Sequence, residues 1–359
     1  MTTLIRLGVV FCLLSTIIVS VKADIIDTAT RWVHVGATLG VYGAHYSNSN
    51  SSIGMHDLVG SSPRDGVRLN IISGTVRGRY DAVYGSVTLQ EGDYARASWM
   101  SSLYWLQEAY IGVYLTDAMR LEAGTFSSHV GIESMILMEN YSGIISLPGF
   151  FDPNYFGGVK YLWNISPALE FQADVVTAFN GHALEDGVPA LTTGLTWLRD
   201  STHIISGNVF VSRKTIEQLN RTQLYINMAS TLHLSTVHIL GEFNYAIVLA
   251  DANATAQHMV SGFIAGYIDV SAAVLMGIRG EFVIDPDGIF ADDRFNAPLP
   301  YRTLSAGGCT ATLSYKPLPW LMVRADVRYL TAFDGRSFIE IGPNTQQRTE
   351  SVLSVDVSL

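Results

Sequence analysis

Apolar and polar side chains alternate residue by residue in many separate runs along the chain. In the stretch ALEFQADVVTAF (168–179), the apolar residues lie on one side of an extended chain, and the acidic and amide residues lie on the other. A period of two is that of a β-strand whose two faces meet different surroundings. We count about 16 such runs of roughly 8 to 13 residues, which suits tilted strands that cross a membrane better than the shorter strands of soluble proteins.

The connections between these runs alternate in length. Short ones consist of turn-forming residues, as in NISP (164–167) and KPLP (316–319). Long ones lie between them, at 47–66, 90–103, 127–155, 180–189, 213–221, 248–258, 284–302 and 331–346. Strict alternation is typical of an up-and-down barrel, in which all long loops leave one rim, and not of a Greek-key sandwich. We therefore predict an all-β fold, a transmembrane antiparallel up-and-down β-barrel of about 16 strands with short periplasmic turns and long extracellular loops.

Tryptophan placement supports the membrane interpretation. All the tryptophans of the chain lie at ends of predicted strands, namely Trp32, Trp99, Trp105, Trp163, Trp197 and Trp320. An amphipathic ring prefers the boundary between membrane and water, so we predict that these side chains form two girdles around the barrel. The apolar faces of the strands then point to lipid and the polar faces to a lumen.

The polar faces carry charges of both signs, which suits a water-filled interior and would be costly in contact with lipid. The predicted lumen-wall residues are Arg68, Glu108, Arg120, Glu122, Lys160, Glu170, Asp174, Arg279, Glu281, Arg324, Asp326 and Arg328. The arginines have an alternative role, since each could pair with a neighbouring carboxylate for structural reasons alone. Arg324 with Asp326 and Arg279 with Glu281 are examples of such pairs.

The first 23 residues have the form of a secretory signal peptide. Arg6 supplies a positive charge, the residues from Leu7 to Val21 are mainly apolar, and a small-residue cleavage site ends at Ala23. We expect the barrel to comprise residues 24–359 and to lie in the outer membrane of a Gram-negative bacterium. Cys309 is the one cysteine outside the leader, so no internal disulfide framework is expected.

The charge balance narrows the classes of partner. Removal of the leader takes away two of the 22 basic residues and none of the 32 acidic ones, which leaves a net charge of −12. A strongly acidic protein is a poor binder of nucleic acid, because phosphates require a basic surface. The same charge favours cations in a lumen or at a rim. No cofactor and no metal is predicted.

The third long connection, 127–155, is also the longest, and it is a candidate constriction loop. It contains His129, Glu133, Glu139 and Asp152, together with the apolar segments MIL and IISLPGFF. A loop of this length without regular structure is usually functional, and its apolar segments favour folding into the barrel. Acidic groups on the loop would then face basic groups on the wall and sort solutes by size and charge. The alternative is an external loop that covers a subunit contact or a neighbouring rim.

Several segments resemble one family of Gram-negative outer-membrane proteins, the putative β-barrel porin-2, OmpL-like family. They are LQEAYIGVYLTDAMRLEAGTFSSHVGIES, with Gly124, Phe126, Gly131 and Glu133, then NYFGGVKYLW, IRGEF and VRADVRYL. The resemblance extends over essentially the whole chain after the leader. It implies a diffusion channel, and it carries over no established functional residues.

We predict a porin, that is, a passive water-filled diffusion channel for small hydrophilic solutes and ions. Its expected partners are outer-membrane lipid and lipopolysaccharide, the barrel assembly machinery, the solutes themselves and two further copies in a homotrimer. The alternative is a non-conducting barrel scaffold whose surface loops act as an adhesin or receptor.

Catalysis is not predicted. His203, His233 and His238 lie on separate parts of predicted strands, with no Ser/His/Asp arrangement around them. The segment IDPDGIFADD (284–293) begins like a calcium loop but lacks a glutamate at the required distance. We interpret it as an acidic turn in an exposed loop.

Overall fold

The computed structural model describes residues 27–28, 30–47, 66–99, 102–134, 136–179, 188–199, 202–216, 219–250, 255–289, 304–333 and 347–359. The predicted leader, 1–23, lies outside these residues. So do the greater parts of the connections near 48–65, 290–303 and 334–346. The predicted acidic turn at 284–293 is therefore described only up to Ile289.

Sixteen antiparallel strands of the described chain form a closed barrel, as predicted. They are β1 Arg31–Tyr46, β2 Gly66–Tyr80, β3 Val83–Glu91, β4 Leu106–Tyr114, β5 Met119–Ser127, β6 Tyr155–Ser166, β7 Leu169–Val176, β8 Ala190–Arg199, β9 His203–Ile216, β10 Leu219–Leu234, β11 Val237–Ala250, β12 Gln257–Ser271, β13 Val274–Asp285, β14 Leu304–Leu318, β15 Leu321–Ala332 and β16 Gln347–Ser358. Each strand pairs with the next along the chain, and β16 closes the ring by pairing with β1. The two residues Asp27–Thr28 add a short pairing to the start of β1.

Closure gives every strand two neighbours, so the sheet has no free edge. The closing pair runs from Glu350 opposite Tyr46 to Ser358 opposite Thr38. Backbone N–H and C=O groups that face hydrocarbon cannot bond to water, so a spanning sheet must satisfy them between strands. The closed ring does this without help from any other element.

The alternation in the sequence separates an outer from an inner face. On β7, Val175 is 49% exposed on the outside, whereas Gln172 and Asp174 on the other face are buried. On β13, Ile278 is 59% exposed, and its neighbour Arg279 is buried. Large exposed apolar residues occur in this manner on strands all around the barrel. An apolar belt of this kind belongs in lipid.

The connections at one rim are all short, and five of them consist of two residues. These are 81–82, 167–168, 235–236, 272–273 and 319–320. In two of these turns, Asp81 and Ser235 have positive φ angles of 53° and 51°, as the first position of a primed hairpin turn does.

One predicted long connection is wrong. Residues 213–221 belong largely to strands, because β9 ends at Ile216, β10 begins at Leu219, and Arg213 lies opposite Thr222. The polar residues of this segment suggested a loop. A hairpin that extends beyond the membrane has water on both faces, and there a strand need not alternate.

The few helices lie in the long connections. Helix α1 (Asp93–Ser98) follows β3. A 3₁₀ turn (Leu137–Glu139) and helix α2 (Leu147–Phe151) lie between β5 and β6. The Ser146 side chain caps α2 by accepting a hydrogen bond from the Gly149 N–H, and Pro148 occupies its first turn, both of which favour a helix start. Within the described ranges, no helix is long and apolar enough to span a membrane.

The tryptophans differ in how far their side chains are exposed. Trp105, Trp163 and Trp197 are each more than one third exposed on the barrel, and Trp32 and Trp320 are partly buried near the short-turn rim. The girdle prediction is wrong for Trp99, which is 5% exposed and stacks on Tyr155 with ring centroids 5.5 Å apart. Trp99 directly follows α1. The connection that contains it folds towards the interior of the barrel, so the ring packs against protein rather than lipid.

Candidate pore constriction

The connection between β5 and β6, residues 128–154, lies inside the barrel and reaches the far wall. We call it the constriction loop. Its backbone donates hydrogen bonds to two wall carboxylates, from Ile132 N to Glu242 Oε2 and from Leu147 N to Glu281 Oε2, each 2.9 Å long. Ser142 Oγ donates to Asp326 Oδ1 at 2.9 Å. The wall residues belong to β11, β13 and β15, so the loop extends across the lumen from its origin at β5.

Three wall arginines hold the constriction loop by its carbonyl oxygens. Each donates one guanidinium hydrogen bond of 2.9 Å, from Arg279 to Ile144 O, from Arg324 to Asn140 O and from Arg328 to Ile145 O. A guanidinium presents several donors in a fixed plane, so one arginine can bind a carbonyl and a carboxylate together. Buried carbonyl groups of an irregular loop need such donors, because no strand partner is available to them.

Carboxylates neutralise these arginines within the wall. Arg279 Nε lies 3.2 Å from Glu281 Oε2, Arg324 Nη2 lies 2.7 Å from Asp356 Oδ2, and Arg328 Nε lies 2.7 Å from Glu350 Oε2. The structural pairing of Arg279 with Glu281 is therefore present. Arg324 pairs with Asp356 rather than with Asp326, which binds the loop instead. Arg324 and Arg328 are fully buried and lie beneath the loop rather than along an open passage.

The apolar segments of the constriction loop pack against an apolar patch of the inner wall. Leu147 and Phe151 of α2 are buried in one cluster with Phe126, Phe156 and Phe210. Ile144 packs with Tyr42 and Val352, and Ile145 with Trp99 and Tyr155. Burial of each large side chain contributes about 1.5–3 kcal/mol. The loop is thus held by apolar burial as well as by the arginines.

The four predicted residues of the loop occupy different positions, and three of them bind the wall. Glu133 Oε1 lies 3.0 Å from Arg279 Nη1, and its other oxygen accepts hydrogen bonds from Ser146 N and Oγ. Burial raises the pKa of Glu133, and the Arg279 charge opposes the rise. Asp152 Oδ1 accepts hydrogen bonds from Tyr225 Oη at 2.5 Å and Asn244 Nδ2 at 3.1 Å.

His129 lies between the wall residues Gln172, whose Nε2 is 2.7 Å from its Nδ1, and Thr192, whose Oγ1 is 3.3 Å from its Nε2. Burial, together with the charge of Lys160, lowers the pKa of His129 to about 3. The ring is therefore neutral at ordinary pH. Glu139, in contrast, is exposed on the 3₁₀ turn and accepts a hydrogen bond of 2.6 Å from Ser134 Oγ. It is the predicted loop residue that most directly faces open space.

The predicted wall residues of the first half of the barrel form their own pairs. Glu122 pairs with Lys160 at 3.4 Å, and Arg120 with Glu170 at 3.7 Å. Arg68 Nε lies 2.5 Å from Asp93 Oδ2 on α1. Asp174 Oδ2 lies 3.4 Å from His129 Nδ1. The pairs of Glu122 and Arg120 link strands of the wall, that of Arg68 attaches the second long connection to the wall, and that of Asp174 attaches the constriction loop.

Two cavities flank the constriction loop. One, of about 480 Å³, separates the loop from the wall of β1–β5, and we call it the loop–wall cavity. Its wall side is rich in hydroxyl and amide groups, and it includes Arg77 and Glu108, whose charged atoms are 3.7 Å apart. The wall residues that carry the hydroxyl and amide groups are Thr38, Ser73, Thr75, Thr88 and Gln107.

The other cavity, of about 420 Å³, lies on the short-turn side of the loop, and we call it the vestibule cavity. It is bounded by the loop residues Met138 and Tyr141 and by the wall residues His233, Phe263 and Asp269. Glu139 borders both cavities. Glu139 therefore lies where the spaces on the two sides of the loop come close to each other.

The sequence profile of the family described as putative beta-barrel porin-2, OmpL-like, matches residues 33–359. The chain belongs to this family. A comparison with curated protein sequences finds no match. The closed barrel is the fold that the description of this porin family names. Family and fold together support a location in the outer membrane.

Solved structures of outer-membrane channels share the fold of this porin-2 family member. OmpT of Vibrio cholerae, folded in vitro, superposes with a TM-score of 0.62 at 12% identity, covering 94% of this chain and 100% of its own. The outer-membrane channel DcaP of Acinetobacter baumannii superposes with a TM-score of 0.62 at 12% identity, covering 93% of this chain and 99% of its own. The anion-selective porin from Comamonas acidovorans superposes with a TM-score of 0.58 at 9% identity, covering 91% of this chain and 99% of its own.

Several inner-wall residues of this family member escaped the sequence analysis. Arg77 lines the loop–wall cavity, Glu242 binds the loop backbone, and Glu350 and Asp356 neutralise the anchoring arginines. The same alternation could have found them, in TVRGRY, GEFNY and QRTESVLSVDVS. In the last of these only the apolar face was considered. Within the described part of the chain, no group of three or more His, Cys, Asp or Glu side chains is arranged to hold a metal ion.

Proposed function

We propose that the protein is a passive, water-filled diffusion channel for small hydrophilic solutes and ions, narrowed by the constriction loop. The observation that carries this proposal is the attachment of the loop to the far wall by Arg279, Arg324 and Arg328. A barrel of 16 strands is too wide for wall side chains alone to fill. A loop held across such a lumen restricts the passage while leaving part of it open to water.

The hydroxyl and amide groups of the loop–wall cavity fit polar, uncharged solutes and hydrated ions. They can replace hydration water of a solute without binding it tightly, which passive permeation requires. Arg77 is about half exposed and its partner Glu108 lies 3.7 Å away, so positive and negative charge stand side by side there. Such a pair favours small polar solutes over bulky apolar ones. We propose no particular solute.

The test is single-channel recording in planar bilayers together with liposome swelling. Replacing residues 135–143 by a short Gly-Ser linker removes the tip of the loop with the arginine contact at Asn140. Unit conductance should rise, and larger sugars should enter the liposomes. A deletion of equal length within 290–303, in another connection, is the control and should leave both unchanged. Wild-type conductance from the shortened, folded barrel would contradict the constriction. Silent insertion of the folded wild type would instead favour an adhesin or receptor scaffold.

We further propose that the barrel functions as a homotrimer in the outer membrane, in contact with lipid and lipopolysaccharide and inserted by the barrel assembly machinery. One support is that a structure of Vibrio cholerae OmpT is described as a trimer form. Another is the exposed apolar belt, which needs lipid or a second subunit to cover it. Mass measurement of the protein extracted in mild detergent tests the oligomeric state.

A further inference from the structure

Two histidines meet at one turn of the short-turn rim. The hairpin of β10 and β11 turns at 235–236, and this two-residue connection places His233 directly opposite His238 in the register. Their Nδ1 atoms lie 2.9 Å apart on the inner face of the barrel. The two histidines are five positions apart in the sequence, and only the hairpin register brings their rings together.

Residues from two other elements complete the cluster. Asp269 of β12 lies with its Oδ2 atom 2.9 Å from His238 Nε2. Tyr141 of the constriction loop lies with its hydroxyl oxygen 3.2 Å from His233 Nδ1. The vestibule cavity is bordered by Tyr141, His233 and Asp269, so the cluster is accessible from that side of the barrel.

One assignment of tautomers satisfies the hydrogen bonds of both rings. His238 donates its Nε2 proton to Asp269, so that its Nδ1 carries a lone pair in the neutral ring. His233 donates its Nδ1 proton to that lone pair. If this proton moves to Nε2 of His233, both Nδ1 atoms present lone pairs 2.9 Å apart, and the Tyr141 oxygen lies 3.2 Å from that of His233.

This arrangement has the dimensions of a metal site. Ligand atoms about 2.0–2.1 Å from a metal ion, at angles of 90° to 109°, are about 2.9–3.4 Å from one another. The two observed distances, 2.9 Å and 3.2 Å, fall in this interval. Asp269 bound to the far nitrogen of His238 corresponds to the carboxylate–histidine–metal arrangement that orients ligand rings in known sites.

We propose that His233, His238 and Tyr141 bind a divalent transition-metal ion in the vestibule cavity. The two imidazole nitrogens are the principal ligands, the Tyr141 oxygen is the third, and water from the cavity fills the remaining positions. Imidazole ligands select Cu²⁺, Ni²⁺ or Zn²⁺ over Mg²⁺ and Ca²⁺, which prefer oxygen. Since Tyr141 belongs to the constriction loop and the histidines to the wall, the bound ion joins the two. The site does not require that the barrel conduct.

The experiment uses untagged, folded protein in detergent and measures binding directly. Cu²⁺ is added and its coordination is followed by electron paramagnetic resonance, and Zn²⁺ is titrated calorimetrically, with Mg²⁺ as the comparison ion. We expect one Cu²⁺ with two nitrogen ligands per barrel, and no binding of Mg²⁺. His233→Gln and His238→Gln should each weaken binding at least about tenfold, and Asp269→Asn about 10- to 100-fold.

The control variant is His258→Gln. His258 is exposed and makes a 2.7 Å contact with Tyr245 Oη, so it represents a single histidine–tyrosine pair without a second ring. Its replacement should leave the Cu²⁺ signal unchanged. An unchanged signal in the double variant His233→Gln/His238→Gln would overturn the proposal.

A second measurement covers the case in which a variant fails to fold. In the wild type, Zn²⁺ should protect His233 and His238 from diethyl pyrocarbonate, as read by mass spectrometry, while His258 stays reactive. Equal modification of all three with and without Zn²⁺ would also overturn the site. Because neither readout involves permeation, a failure here is distinguishable from a failure of the channel proposal.

Discussion

At the scale of single residues, buried charge in this barrel serves mainly to hold the constriction loop. Three arginines that alternation alone places on a lumen wall donate to loop carbonyls, and all three are fully buried. A buried charge is tolerated only when it is paired and hydrogen-bonded. The wall carboxylates supply the charge, and the loop supplies the remaining acceptors.

Arg328→Lys tests this role at one residue. Arg328 binds Glu350 and, through Nη1, the carbonyl of Ile145. Lysine keeps the charge but lacks the planar fork, so it cannot satisfy both partners in the same geometry. Loss of the loop contact should cost about 1–3 kcal/mol. We expect noisier and larger single-channel currents in planar bilayers.

Arg348→Lys is the matched control for that variant. Arg348 is also buried and also binds Glu350, at 2.8 Å, but it lies over the Tyr46 ring and not against the loop. It should reduce thermal stability without altering current noise. Equal noise in the two variants would show that Arg328 stabilises the barrel in general rather than the loop.

At the scale of elements, strands and loop are fitted to each other by shape as well as by charge. The inner wall is not a smooth polar surface, because large aromatic rings lie flat over glycines of neighbouring strands. Tyr267 of β12 lies over Gly277 of β13, and Tyr84 of β3 lies over Gly112 of β4. Tyr267 in turn stacks on Tyr141 of the constriction loop, with ring centroids 4.9 Å apart. One glycine therefore influences both a strand pair and the loop above it.

Gly277→Ala should destabilise the barrel. A Cβ atom at this position would lie 1.9 Å from the Tyr267 ring, so the ring has to move and with it the contact to Tyr141. Overpacking of this kind costs about 1–3 kcal/mol. The temperature at which heat changes the gel migration of the folded protein should fall.

Gly280→Ala on the same strand is the control for Gly277→Ala. No atom lies within 4 Å of its added Cβ, so the heat-modification temperature should stay the same or rise slightly. If Gly277→Ala is as stable as this control, the ring over Gly277 does not constrain the wall.

At the scale of the whole molecule, the excess of acidic residues acts on permeation only where it meets the water path. Most charges of the inner wall are neutralised in pairs, as in Glu122 with Lys160 and Arg324 with Asp356. Charges on outer loops are screened within about 10 Å at 0.1 M salt. Glu139 is exposed at the tip of the constriction loop and borders both cavities. Selectivity should therefore depend on this residue more than on the total charge.

Glu139→Gln should reduce a modest preference for cations. The sequence predicts that preference from the net charge, and the position of Glu139 gives it a physical origin. One charge at about 10 Å from a permeating ion in water contributes about 0.4 kcal/mol, or roughly a twofold change in the permeability ratio. The reversal potential in a salt gradient measures it, at low ionic strength.

Glu91→Gln is the control for selectivity. The Glu91 side chain is 43% exposed, but it pairs with Arg96 of α1 at 2.8 Å and borders neither cavity. Its replacement should leave the reversal potential unchanged. A wild-type reversal potential of anion-selective sign would contradict the prediction altogether.

The sequence by itself determined the barrel, its inner and outer faces, its number of strands and the unusual apolar character of one loop. These features depend on a period of two and on turn residues, which are local properties that the solvent on each face imposes. Only the tertiary structure decided where the loop binds and which arginines hold it. Ser142 and Asp326, which form a hydrogen bond, are 184 positions apart in the sequence, and Tyr141 and His233, which are also in contact, are 92 positions apart. Such contacts follow from the register and closure of all strands together. Two parts of the chain depart from the local pattern, namely the segment 213–221, where the strands continue in place of a loop, and Trp99, which is buried among its neighbours. The reason is the same for both, because the assembled barrel sets their surroundings.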